Sequence, residues 1–270
     1  MLLRILVGML GWAALLAVPA AAQVYAPATA VPHTTDLARL RGLAIDREIH
    51  ERFSRGLAAE ERADWAAATT EFERIIILDP AEPRGSTARY DLAIARARSG
   101  DYARAIALLD EALRRDPGFL AAAANLVTVY TLAGDLDGAR SAADRFVALA
   151  PASARARYER GILALRAGDL TTARGDFAAL IAGDPAYAVA HYDAALVEIR
   201  GGAFDSAEIE LQSALAISPS YARARFALGT VYARIGRRDD ARAAFDRAAR
   251  DASDLTLRTL ALDLRDRLPR

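Results

Sequence analysis

The sequence contains no cysteine and no lysine, and it holds only three histidines, two methionines and two tryptophans in 270 residues. Without cysteine there is no disulfide, thiolate zinc site, cysteine nucleophile or cysteine-held iron–sulfur cluster. Without lysine, a Schiff base and a phosphate-binding P-loop are excluded. An excess of charge is missing too, since 35 basic and 35 acidic side chains cancel. That balance argues against a nucleic-acid binder and against a polybasic membrane-surface protein. His33, His50 and His191 do not fall at metal-ligand spacing, and no G-x-S-x-G, H-E-x-x-H or Gly-rich phosphate loop occurs. His191, beside Tyr192 and Asp193, reads as a partly buried helix residue. No catalytic residue, metal site or cofactor is therefore expected. What abounds is Ala, with Arg as the whole basic complement. That pattern looks like the codon bias of a GC-rich genome, so a single Arg is weak evidence of function.

The first segment reads as an export signal. Arg4 is its one charge, an apolar run follows from Ile5 to Val18, and Pro19 breaks it ahead of Ala20-Ala21-Ala22. A charged start, an apolar core and an A-x-A exit form the secretory pattern, and the run is short for a bilayer span. The alternative is an uncleaved anchor helix. No Cys follows, which rules out the lipid-anchored version of the signal. With Met1–Ala22 removed, the mature chain is expected in the periplasm or secreted, without a membrane span. Gln23 to Thr35 carry Pro, Thr and Ala without charge or helical period, and read as a flexible spacer.

The rest of the chain repeats. Pro117, Pro151, Pro185 and Pro219 are each 34 residues apart, while Pro80 sits 37 before Pro117. Glycines keep the same step at Gly100, Gly134, Gly168, Gly202 and Gly236, three of them followed by Asp. Alanines keep it at Ala68, Ala105, Ala139, Ala173, Ala207 and Ala241. A bulky apolar residue follows four places on in Phe72, Leu109, Phe177, Leu211 and Phe245, with Ala143 as the exception. Three series in one frame define a repeated unit. Each unit reads as two antiparallel helices: Gly ends the first in a left-handed turn, Asp caps the second, and Pro stops it. The small residue lets the pair approach closely, and the Phe or Leu one turn on fills the gap.

On these residues the chain resembles the tetratricopeptide repeats. The sixth unit carries Leu228-Gly229, Tyr232, Gly236, Ala241, Phe245 and Ala248, and the fourth carries Gly161, Gly168-Asp169, Ala173, Phe177 and Pro185. The second carries Gly100-Asp101-Tyr102, Ala105, Ala112 and Pro117. The first is looser, with Gly56, Asp64-Trp65, Ala68, Phe72 and Pro80, and Ala63 in place of the turn glycine; the third exchanges Phe and Ala between Ala143 and Phe146. The resemblance implies an all-α, right-handed α-solenoid of about six helix-turn-helix units over residues 36–251. The repeats fall at about 49–82, 86–119, 120–153, 154–187, 188–221 and 222–251. Residues 252–270, rich in Leu among Arg and Asp, are expected to form a C-terminal capping helix, because solenoid ends need covering.

The resemblance also implies a concave groove lined by the first helices. Its fifth positions hold Phe53, Tyr90, Ala124, Tyr158, Tyr192 and Phe226, and its thirteenth hold Glu61, Arg98, Leu132, Arg166, Arg200 and Arg234. An aromatic row beside an arginine row suits a partner peptide or protein segment with acidic residues or a free C-terminus. The competing reading packs the aromatics against neighbouring units and pairs the arginines with Asp and Glu. The function that follows is a non-catalytic interaction scaffold in the cell envelope. An accessory subunit presenting a substrate to a separate enzyme or secretion machine is the alternative, and an enzyme with an unrecognised site is the reading with least support.

Overall fold

The computed structural model describes residues 39–79 and 84–269. The expected signal Met1–Ala22 and spacer Gln23–Thr35 lie outside the described residues. Among those described, the secondary structure consists of thirteen helices and no strand. They fall into two compact units, 39–152 and 153–269.

In the first unit, α1 (Arg39–Glu61) pairs with α2 (Trp65–Leu78), α3 (Arg84–Arg98) with α4 (Tyr102–Arg115), and α5 (Leu120–Ala133) with α6 (Leu136–Leu149). In the second, α7 (Ala154–Ala167) pairs with α8 (Leu170–Gly183), α9 (Ala188–Gly201) with α10 (Phe204–Ile217), and α11 (Ala222–Arg234) with α12 (Arg238–Asp251). α13 (Leu255–Asp266) packs on α12. Within each unit every helix touches the next, the α-solenoid architecture, and α13 supplies the closing helix.

The turns explain the hairpins. Gly134, Gly168 and Gly202 stand at φ of 78, 87 and 81° and end α5, α7 and α9. The next residue's N–H then reaches back five residues, as Asp169 N does to the Ala164 carbonyl at 2.9 Å. These bonds satisfy carbonyls that a helix end leaves open. Asp135 and Asp169 at once cap the following helix, accepting from Gly138 N at 2.8 Å and Thr172 N at 3.1 Å. Ala63 occupies the same turn between α1 and α2 with φ of 56°, a conformation an L side chain adopts at a cost. Ala63 is exposed. Ala63→Gly is therefore expected to stabilise the first hairpin by about 1 kcal/mol, read as a higher urea midpoint. A lower midpoint would show that glycine's added freedom in the unfolded chain outweighs the relieved strain.

The repeated alanines lie where the helices cross. Ala68, Ala105, Ala139, Ala173, Ala207 and Ala241 are all fully buried. Phe72 and Phe177 fill the space beside them, pressed against Gly56 and Gly161. A methyl on Gly56 would stand 2.6 Å from the Phe72 ring, and one on Gly161 would stand 3.0 Å from Phe177. Glycine is there because the partner helix occupies the place of a Cβ. In the third repeat Ala143 and Phe146 are both buried, so the exchange keeps both inside.

At the C-terminal end, Leu257 and Ala261 of α13 are buried, while Leu255 is exposed. Arg258 ties α13 back by donating to the carbonyls of Ala249 (3.2 Å) and Ala252 (2.8 Å). Arg242 of α12 holds the carbonyls of Leu268 and Pro269. No helix of the described residues is long and apolar enough to cross a membrane.

Candidate binding surface on the first helices

A period of 34 residues places equivalent side chains on neighbouring first helices. In the unit 153–269, the fifth and sixth positions put Tyr158 and Glu159 on α7, and Tyr192 and Asp193 on α9. The last residue of each repeat adds Tyr187 and Tyr221, the N-caps of α9 and α11. Each of these rings meets the fifth-position aromatic of its own repeat. Tyr158 and Tyr187 lie 6.5 Å apart by centroid, and Tyr192 and Tyr221 lie 5.2 Å apart. In the unit 39–152, Tyr90 and Phe119 repeat the pairing at 5.1 Å.

Asp193 is 1% exposed. It takes a hydrogen bond from the Tyr158 hydroxyl, and its Oδ2 is buried without a partner. Burial pushes its carboxyl up to about 7, against the pull of that hydrogen bond and of Arg223 on α11. The Tyr192 hydroxyl is also buried without a partner, and burial together with the neighbouring Tyr221 and Asp193 raises it. Burial likewise raises Tyr158, Tyr187 and Tyr221. Glu159 receives the Arg155 guanidinium at 2.8 Å on one oxygen, while Oε2 is buried and unmatched, and its carboxyl is raised by burial.

In the other unit, Asn125 donates to the Tyr90 hydroxyl at 2.7 Å. Glu60 buries Oε1 without a partner, and burial lifts its carboxyl to about 7 while Arg98 opposes the shift. Asp91 is held well above the usual carboxylate range by burial and then by the like charge of Glu60.

The expected groove residues divide. Phe53 and Tyr158 are half-buried, Arg98 and Arg234 are exposed, and Arg166 is half-buried in the last turn of α7. Tyr90 is 8% exposed. Tyr192 and Phe226 are enclosed, at 1% and 0%, and offer no face to a partner. Their rings pack on Tyr221 and Phe245, the latter at 5.5 Å, so the packing reading holds for these two positions. Arg200 is also committed, because its guanidinium donates to the Leu165 carbonyl at 2.5 Å and closes the end of α7. Arg166 and Arg234 make no ion pair with any described residue.

The sixth-position polar series was missed in the stripe taken from the sequence. Asp91, Asn125, Glu159 and Asp193 stand 34 residues apart, so the signal was present in the spacing. His191, buried, sets Nδ1 2.7 Å from Glu210 and Nε2 3.1 Å from the Pro185 carbonyl, which engages both ring nitrogens in packing. Among the described residues, no three His, Asp or Glu side chains converge to hold a metal ion.

Helix hairpins packed in series define an α-helical repeat protein. Two tetratricopeptide-repeat models match the chain, one over residues 96–159 and 202–261 and the other over 53–118 and 162–222. The chain belongs to the tetratricopeptide repeat family. It is similar to the crystal structure of MamA at 27% identity and a TM-score of 0.56, covering 59% of this chain and 94% of that one. A tetratricopeptide repeat protein from Parabacteroides merdae is similar at 17% identity and a TM-score of 0.69, covering 82% of this chain and 86% of that one. YrrB, described as a tetratricopeptide repeat protein with an unusual peptide-binding site, is similar at 18% identity and a TM-score of 0.59, covering 71% and 97%. No curated protein matches the sequence.

Proposed function

We propose that the chain is a non-catalytic interaction scaffold of the cell envelope, exported by Met1–Ala22, that takes a segment of a partner protein along its first helices. The observation that carries the reading is the pair Arg166 and Arg234. They sit in the last turns of α7 and α11 with no ion pair to any described residue, on the same unit as the tyrosine cluster. Arginine and tyrosine are the side chains on which binding energy concentrates, and an uncommitted guanidinium takes a carboxylate by two parallel hydrogen bonds. The partner segment therefore carries acidic side chains or a free C-terminus.

The test uses chain 23–270 as bait on envelope extract, beside Arg166→Glu/Arg234→Glu with an unchanged far-UV circular dichroism spectrum. A partner retained by the first and held about tenfold or more weakly by the second is the expected result. Equal retention would remove both arginines from the interface. N-terminal sequencing of the envelope form checks export, with Gln23 expected as the first residue and Met1 the contrary result.

A further inference from the structure

Polar atoms buried without partners are few in folded proteins, and each asks for a cause. Glu159 Oε2, Asp193 Oδ2 and the Tyr192 hydroxyl are three such atoms on two neighbouring helices, α7 and α9. Two of the three are carboxylate oxygens, which can only accept when ionised. What they lack is a donor.

The surroundings of Asp193 narrow the donor's chemistry. Tyr158 donates to this carboxyl and pairs with the Tyr187 ring at 6.5 Å, Tyr192 pairs with Tyr221 at 5.2 Å, and all four phenols lie near enough to feel the carboxylate's charge. Ring faces carry negative potential and attract a cation, most strongly where water is thinned out. The chain's own cation here is Arg223, which acts on Asp193 through space and makes no hydrogen bond with any described residue. The charge of Asp193 is thus incompletely answered from within the protein.

We propose that Asp193, flanked by the half-buried Tyr158, Tyr187 and Tyr221, forms a subsite for a basic side chain of the bound segment, an arginine guanidinium that donates to Oδ2 and lies against the Tyr187 and Tyr221 rings. This deepens the scaffold reading and rests on it. The guanidinium supplies the donors that Oδ2 lacks, and its flat face suits tyrosine. Tyr187 and Tyr221 are half-buried N-cap residues at the rim of the cluster, so the guest enters by rotation of their side chains. Arg223 competes with the guest for the same charge.

The probe is an acetylated, amidated pentapeptide with one arginine among alanines, titrated into chain 23–270 and followed by amide chemical shifts. The same peptide with citrulline, which keeps the shape and removes the charge, is the comparison. The arginine peptide is expected to shift the signals of residues 187–193 and 221–223 saturably, and the citrulline peptide to leave them in place. Asp193→Asn weakens the arginine peptide by about tenfold or more, the worth of a hydrogen bond to a charged group. Arg223→Ala tightens it, because the internal competitor is gone; a structural role for Asp193 alone would not predict that gain. Equal response to the two peptides, or unchanged affinity in Asp193→Asn, overturns the subsite. The scaffold reading is judged apart from this: a partner captured by the wild-type chain and by Asp193→Asn alike, and lost from Arg166→Glu/Arg234→Glu, leaves the scaffold standing without the subsite.

Discussion

Arg160→Met is expected to lower the stability of the unit 153–269 by about 3 kcal/mol, the low end of the cost of stripping a buried carboxylate of its partner. Asp176 on α8 is 1% exposed and holds Arg160 of α7 by two parallel hydrogen bonds of 2.7 and 2.8 Å. Arg157 stands 3.7 Å away and answers part of the charge, which keeps the cost near the lower bound. The carboxylate is inside because of its neighbours in sequence. Phe177 fills the space over Gly161, so Arg160 and Asp176, one residue before each, are brought together at the point of closest approach.

The first repeat uses the same four positions with a different outcome. Arg55 precedes Gly56 on α1, Glu71 precedes Phe72 on α2, and the two are joined by hydrogen bonds of 3.2 Å. There the longer acid reaches outward, and the side chains are 51% and 20% exposed. The Arg55 hydrogen bond holds the Glu71 carboxyl below the usual range, yet water screens the pair. Arg55→Met is accordingly expected to change stability far less than Arg160→Met. Urea unfolding followed by circular dichroism compares the two. A double variant, Arg160→Met/Asp176→Leu, recovers most of the loss if an orphaned charge is the cause. Equal losses in Arg55→Met and Arg160→Met would show that packing of the arginine stem, and not the buried charge, sets the cost.

The frame of the fold was legible because each signal has a single physical job. Gly134, Gly168 and Gly202 mark left-handed helix ends, Asp135 and Asp169 mark caps, and the alanines mark helix crossings. The surface was legible only in part. An aromatic residue at the fifth place of a first helix looks the same in sequence whether it faces a partner or the next turn of the protein. Tyr192 and Phe226 turned inward because Tyr221 and Phe245 were there to receive them. That dependence joins residues 29 and 19 positions apart, which no single-helix stripe contains. The acids at the sixth place were visible in the spacing, yet a polar residue on a helix is ordinarily solvated. At Asp193 the surroundings include Tyr187 and Tyr221, contributed by the ends of two repeats. Arg200 shows the same limit, since its partner is the backbone carbonyl of Leu165, and a carbonyl leaves no mark in composition.

Asp193→Asn is expected to stabilise the chain in a pH-dependent way, with a gain that grows to about 4 kcal/mol above pH 7 and vanishes near pH 4. The folded carboxyl titrates at about 7 against an ordinary value of 3.8, so between those limits the folded state keeps a proton that the unfolded chain has released. Stability of the wild-type protein therefore falls as pH rises through that window and levels off above it. Asparagine occupies the same space and does not titrate. The groups facing Asp193 are Tyr158 on α7, Tyr187 and Tyr192 on and before α9, and Tyr221 and Arg223 on and before α11. Burial raises all four phenols, so they stay neutral throughout. The pH-dependent part of the difference between variant and wild type thus belongs to Asp193. Unfolding midpoints of both proteins at several values between pH 4 and 8 read it directly, and a difference constant across that range would show that the carboxyl ionises freely in the folded chain. The same measurement connects to the proposed subsite. A guanidinium bound at Oδ2 favours the ionised form, so saturating arginine peptide should flatten the wild-type slope between pH 5 and 7 while leaving Asp193→Asn as it was.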